Sequence, residues 1–113
     1  MCTKTELAQI LENFAKKSKE IFGNKLKDVI LFGSYARGDY HEESDIDIML
    51  IADIPEEQVV QYVYKISSYL TDLAMDYDVV VAPVIEPYDK YERLKDTVPF
   101  FKNVQREGVR IAA

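Results

Sequence analysis

The chain has 113 residues, a formal net charge of −6 and one cysteine. That length suits a single domain, residues 1–113, with a sizeable core and no room for a second. The acidic balance, without a concentrated basic stripe, argues against independent binding of DNA or RNA and so against polymerase action on a long template. Cys2 alone cannot form an intrachain disulfide and reads as a terminal residue rather than a reactive one. No apolar run reaches membrane-span length and no export leader is evident, so a soluble cytoplasmic protein is expected, without membrane contact.

Thr3 and Glu6 have capping-box spacing, and Leu7, Ile10, Leu11, Phe14 and Ile21 recur at helical intervals. A first helix is therefore predicted over Thr3–Phe22, with Gly23 as its stop signal. The apolar run Val29-Ile30-Leu31-Phe32 reads as a buried strand, Asp28–Phe32. A Gly33-Ser34 turn then enters a short helix ended by Gly38. Asp39–Glu43 is a polar loop, followed by a second strand over Ser44–Ala52. Asp53 as cap and Pro55 in the first turn open the next helix, whose stripe Val59, Val63, Ile66, Leu70 and Leu73 lies on the sheet. A third strand is predicted over Tyr77–Ile85, β-branched and interrupted by Pro83, which suits an end or edge. A short helix over Pro87–Leu94 and a last one over Thr97–Glu107 follow, the latter carrying Phe100, Phe101 and Val104 and ending at Gly108. The expected fold is α/β, a small mixed β-sheet with helices mainly on one face and a site at the exposed edge of the other.

Chemistry concentrates at Gly33-Ser34-Tyr35-Ala36-Arg37-Gly38 and Ser44-Asp45-Ile46-Asp47. A glycine–serine turn between a strand end and a helix start exposes backbone amides, a natural seat for phosphate. Strand alternation puts Asp45 and Asp47 on one face, with Ile46 and Ile48 on the other. A phosphate cradle beside paired carboxylates suits a metal-bound nucleotide. No Gly-Lys-Ser/Thr follows the turn, so it is not a P-loop.

This G-S-x-A-R-G pattern followed by S-D-I-D resembles the nucleotidyltransferase superfamily that includes DNA polymerase beta, poly(A) polymerases and kanamycin nucleotidyltransferase. The match is nearest to the stand-alone minimal nucleotidyltransferases of bacteria and archaea. The resemblance implies a polymerase beta-like nucleotidyltransferase fold. It also implies metal-dependent transfer of a nucleoside monophosphate, AMP from ATP above all, to a hydroxyl. Two Mg²⁺ or Mn²⁺ ions about 3.5–4 Å apart would neutralise the triphosphate and activate the acceptor. Asp45 and Asp47 match the first two metal-binding and catalytic carboxylates. Asp78, leading Val79-Val80-Val81, matches the third, with Asp76 as its rival. Ser34 and the Gly33 backbone would hold the β- or γ-phosphate, and Arg37 would pair with the triphosphate or orient the turn. Gly38 would end the short helix in a left-handed conformation.

Other residues have plainer readings. His41 is expected in a solvent-exposed loop, and Tyr35 and Tyr40 as packing or rim residues. Lys90, Arg93 and Lys95 fit a solvated helix face.

Larger members of the superfamily carry a second domain that completes the site. A chain this short implies either a homodimer or another protein. For minimal nucleotidyltransferases the resemblance implies a small helical partner of the HEPN class, a toxin silenced by AMP transfer to a tyrosine, with this chain as antitoxin. Phe100 and Phe101 are candidates for the contact surface, although adjacent aromatics on a terminal helix usually belong to a core. Two other readings are a small-molecule enzyme acting on an aminoglycoside-like hydroxyl and a non-catalytic antitoxin that masks its partner by contact.

Overall fold

The structure, a computed structural model, describes residues 3–112, so Cys2 lies outside the described residues. In chain order the elements are α1 (Lys4–Phe22), β1 (Leu26–Phe32), α2 (Ser34–Arg37), β2 (Ile46–Ala52), α3 (Val59–Tyr77), β3 (Val81–Pro87), α4 (Tyr88–Leu94), α5 (Pro99–Glu107) and β4 (Val109–Ala112). The capping box forms as expected: the Glu6 amide donates to Thr3 Oγ1 at 3.0 Å and the Thr3 amide to Glu6 Oε1 at 2.9 Å.

The four strands form one mixed sheet in the order β3-β2-β1-β4. β1 pairs antiparallel with β2 and with β4, while β2 runs parallel to β3. A parallel pair needs a long crossover, and α3 supplies it. β3 is an edge strand, where Pro83 costs no ladder bond.

Alternation along the strands divides the core in two. Val29, Leu31, Ile46, Ile48, Leu50, Val81 and Ile85 face Ile10, Phe14 and Phe22 of α1 and Tyr62, Ile66 and Leu73 of α3. On the opposite face, Ile30, Met49 and Ile51 pack with Tyr91 of α4 and Phe101 and Val104 of α5. Helices on mainly one face were expected. Instead α4 and α5 cover the second, because Tyr91 of α4 and Phe101 and Val104 of α5 bury against Ile30, Met49 and Ile51.

Two other expectations are corrected, and one strand is added. The helical periodicity of α3 runs on through Tyr77, so the third strand starts at Val81 and not at Tyr77. Asp53 does not cap α3; its amide bonds the Lys25 carbonyl at 2.8 Å, and a 3₁₀ turn at Glu56–Gln58 precedes the helix. Finally, the residues after Gly108 form a strand, β4, whose register sets Ile30 opposite Arg110 and Leu31 opposite Val109. No described helix is long and apolar enough to cross a membrane.

Candidate active site

The last residue of β1, Phe32, stands opposite Asp47 in β2, so the turn that leaves β1 meets the start of β2. Gly33 takes φ 75° there, a conformation that disfavours side chains. A Cβ at Gly33 would collide with the Asp47 carboxylate. The Gly33 carbonyl accepts from the amides of Ala36 at 3.1 Å and Arg37 at 3.0 Å, which closes α2 into a tight turn. Gly38 ends it in the left-handed region, φ 85° and ψ 10°, as expected, and its amide donates to the Ser34 carbonyl at 2.9 Å.

Gly33, Ser34, Arg37 and Asp47 share a cavity of about 400 Å³ with Phe32, Phe100, Asn103, Val104 and Glu107. Burial pushes the Asp47 carboxyl above its usual range; the charge of Asp45 adds to this and that of Arg37 opposes it. The two aspartates therefore feel each other. Asp45 is exposed, one residue ahead of β2, and lines a separate cavity of about 280 Å³ with Tyr35, Glu42, Glu43, Ser44, Ala74, Asp78, Val79 and Val80. The carboxylate pair thus stands between two hollows, one holding the glycine–serine turn and the other Asp78.

Asp78 was expected to lead the third strand. It stands instead at the C-terminal cap of α3 with φ 54° and ψ 44°, the one non-glycine with positive φ among the described residues. Aspartate tolerates this region better than most side chains, which is why the helix can end on it. The position beside Asp47 across the β2–β3 ladder belongs to Ala82. On β3 the residues of that face are Ala82, Val84 and Glu86, and Glu86 lies at the far end opposite Ile51. Asp76 is exposed in the last turn of α3. Among the described residues no group of three histidine, cysteine, aspartate or glutamate side chains is placed to hold a metal ion. The donors that do fit a hard divalent cation are Asp45 and Asp47: oxygen ligands whose mutual repulsion a cation would relieve.

Arg37 is the one cation among the described residues lining the glycine–serine cavity. Its Nε donates to Asp39 Oδ2 at 3.1 Å and its Nη1 to Glu107 Oε2 at 3.1 Å. Both carboxylates push the guanidinium pKa further up, Asp39 the more strongly. Glu107 lies in α5, seventy positions along the chain, and sequence reasoning missed it, together with Asn103. The available signal was the i, i+3, i+7 spacing of Phe100, Asn103 and Glu107 along one side of α5.

The plainer readings hold. His41 is exposed and builds its own loop, its amide donating to Ser44 Oγ at 2.9 Å while its Nδ1 accepts from the Glu43 amide at 3.2 Å. Tyr35 and Tyr40 stack with centroids 4.2 Å apart. Lys90 pairs with Glu86 and Glu56, and Lys95 with Glu92. Another cavity, about 530 Å³, lies between α4, α5 and β1 and is lined by Lys27, Asp28, Tyr88, Tyr91 and Arg110 among others. Its Arg110 already pairs with Asp28, and it contains none of the turn or aspartate-pair residues.

A mixed four-stranded sheet with a glycine–serine turn against paired aspartates defines a nucleotidyl-transfer class of protein. Residues 9–102 match the nucleotidyltransferase domain family, and the chain belongs to that family. Two relatives from Methanocaldococcus jannaschii are provisionally named protein adenylyltransferases. One is 37% identical over 107 residues, covering 94% of this chain and 99% of its own length. The other is 36% identical over 98 residues, covering 87% and 90%. Among solved structures, a provisionally named nucleotidyltransferase from Sulfolobus solfataricus matches with TM-score 0.55 and 26% identity, over 96% of this chain and 86% of its own. A chain of a toxin–antitoxin complex with AMP-PNP matches with TM-score 0.57 at 22% identity, over 91% and 73%. A chain of the Shewanella oneidensis complex of a tri-AMPylated HEPN toxin with its MNT antitoxin matches with TM-score 0.52 at 22% identity, over 94% and 72%. At 22% identity, the last two show a shared fold.

Proposed function

We propose that the chain transfers AMP from ATP to a hydroxyl of a protein partner, most specifically a tyrosine of a helical HEPN-class toxin that it thereby silences. The observation that carries this reading is the contact between the Gly33–Ser34 turn and the Asp47 carboxylate, with Asp45 close enough to perturb it. The provisional names of the relatives support the protein acceptor, and the complexes sharing the fold support the HEPN class.

In this reading the triphosphate lies in the cavity of Gly33, Ser34, Arg37 and Asp47. The Ser34 hydroxyl and the turn amides donate to the β- and γ-phosphates, and Arg37 exchanges a carboxylate for a phosphate. The acceptor hydroxyl approaches from the cavity shared by Asp45 and Asp78. Its oxygen attacks the α-phosphorus, the bond from that phosphorus to the bridging oxygen breaks, and pyrophosphate leaves. Asp78 takes the acceptor's proton, directly or through water. Asp45 and Asp47 would hold Mg²⁺ or Mn²⁺, with phosphate oxygens and water completing the coordination; when bound, the ion neutralises charge on the triphosphate and on the attacking oxygen. Asp78 would act from the C-terminal cap of α3, outside β3, as a proton acceptor and not as a third ligand.

The test is incubation with ATP labelled at the α-phosphorus, Mg²⁺, and either a HEPN-class partner or an aminoglycoside. Label on the partner's tyrosine is expected, and its loss in Asp45→Asn with the fold retained. Label on the aminoglycoside alone would favour a small-molecule acceptor. Label nowhere, with the partner still inhibited, would favour masking by contact. Undiminished transfer by Asp45→Asn would refute the metal assignment.

A further inference from the structure

α5 points its aromatic residues two ways. Phe101 and Val104 are buried, and Phe101 packs on Tyr91 with ring centroids 5.3 Å apart. Phe100, Asn103 and Glu107 follow at i, i+3 and i+7 and line the cavity of the glycine–serine turn. Phe100 remains 41% exposed. Its ring is nonetheless held: Phe32 meets it edge-on at 5.5 Å between centroids and 77° between planes, and Phe101 lies at 5.8 Å. An apolar ring fixed by two neighbours but left open to water forgoes hydrophobic stabilisation that a ligand could recover. The same cavity also carries polar groups, Ser34, Arg37, Asp47 and Glu107, and the backbone of Gly33. A ligand suited to this wall offers phosphate to Arg37, Ser34 and the turn amides and a flat apolar group to the Phe100 ring.

Resting on the nucleotidyl-transfer reading, we propose that Phe100 is the nucleoside contact of this site. The phosphates lie at the Gly33–Ser34 turn, and the base or ribose packs against the Phe100 ring. Every base has an apolar face, so such packing separates nucleotides from bare phosphate chains without choosing among bases. α5 thereby supplies part of the wall that larger members build from a second domain.

The experiment measures binding of AMP-PNP and of inorganic tripolyphosphate, each with Mg²⁺, by calorimetry on the full chain and on Phe100→Ala, Phe100→Leu and Phe100→Tyr. Stacking strengths imply that the alanine and leucine variants weaken AMP-PNP binding roughly tenfold. Tripolyphosphate binding should be unchanged, and the tyrosine variant should behave as the unaltered chain. Leucine keeps an apolar side chain against Phe32, so a loss in that variant with an unchanged thermal midpoint reports the aromatic face and not the fold. Equal AMP-PNP binding in the unaltered chain and the leucine variant overturns the assignment, as does equal weakening of both ligands. Failure of the unaltered chain to bind either ligand overturns the nucleotidyl-transfer reading with it. Binding of both ligands with no selective loss leaves that reading standing and removes only Phe100.

Discussion

The Asp47 carboxylate fills the space where a side chain on Gly33 would begin. The glycine is needed twice, for its positive φ of 75° and for the approach of a charged group to the turn. The closeness of turn and carboxylate, which lets one ligand touch both, is therefore written into a missing Cβ.

Gly33→Ala is expected to displace Asp47 and strain the turn. Positive φ alone costs a non-glycine residue about 1–3 kcal/mol, seen as a lower urea midpoint. AMP transfer should fall by roughly 100-fold or more, since small misplacements at a reacting centre are costly. A Gly33→Ala variant with normal transfer would separate the turn from the chemistry.

The pH behaviour of Asp47 follows from its raised carboxyl pKa, caused first by burial and then by Asp45. Ionising a group whose folded pKa is raised costs the folded state. That cost is absent below the ordinary carboxylate value and complete above the raised one. Asp47→Asn is therefore expected to stabilise the fold slightly at neutral pH, and the difference should shrink as pH falls through the raised value. Urea unfolding of both chains between pH 4 and pH 7 (roughly the span in which carboxylates titrate) checks the sign. Mg²⁺ affinity should weaken over the same window, because protons compete for the carboxylate.

Glu107→Gln tests the pair with Arg37. Both side chains are largely or partly exposed, 43% and 26%, so the change in thermal midpoint should be small. Releasing Arg37 from a competing carboxylate should instead lower the ATP concentration needed for half-maximal transfer. Arg37→Lys should raise it by roughly tenfold, since an ammonium cannot reproduce two-pronged phosphate pairing. Opposite shifts in the two variants are the expected outcome of steady-state kinetics.

Asp28 is 8% exposed, accepts from its own neighbour's amide, and is paired by Arg110 of β4 at 3.0 and 2.9 Å. Arg110→Ala leaves that carboxylate short of a partner, which should cost about 1–3 kcal/mol and loosen β4 from β1. Asp28→Asn with Arg110→Ala should cost less than Arg110→Ala alone. Chemical denaturation of the three variants measures the coupling.

Periodicity and motif chemistry made much of this protein legible. The capping box at Thr3 and Glu6, the buried strand before Gly33, the left-handed Gly38 and the apolar stripe of α3 all depend on neighbours within a few positions, and each formed, although both ends of α3 lie elsewhere than local rules place them. The glycine–serine turn and the Asp45/Asp47 pair were readable for the same reason. Asp78 was misplaced because its surroundings support two local structures. Val79-Val80-Val81 favours a strand, while Leu73 through Tyr77 extends a helix, and packing of Leu73 in the core decided for the helix.

Amino-acid order alone thus determined most of the elements, the glycine–serine turn and the spacing of Asp45 and Asp47, since these arise from backbone preferences and side-chain spacing over a turn or a strand. Only the tertiary structure decided that α4 and α5 close the second sheet face, that Glu107 reaches Arg37, and that Phe100 stands in the cavity of Ser34 and Asp47. Those contacts join segments roughly forty to seventy residues apart, and burial of Phe101 and Val104 against the sheet fixes the face that α5 presents to the site.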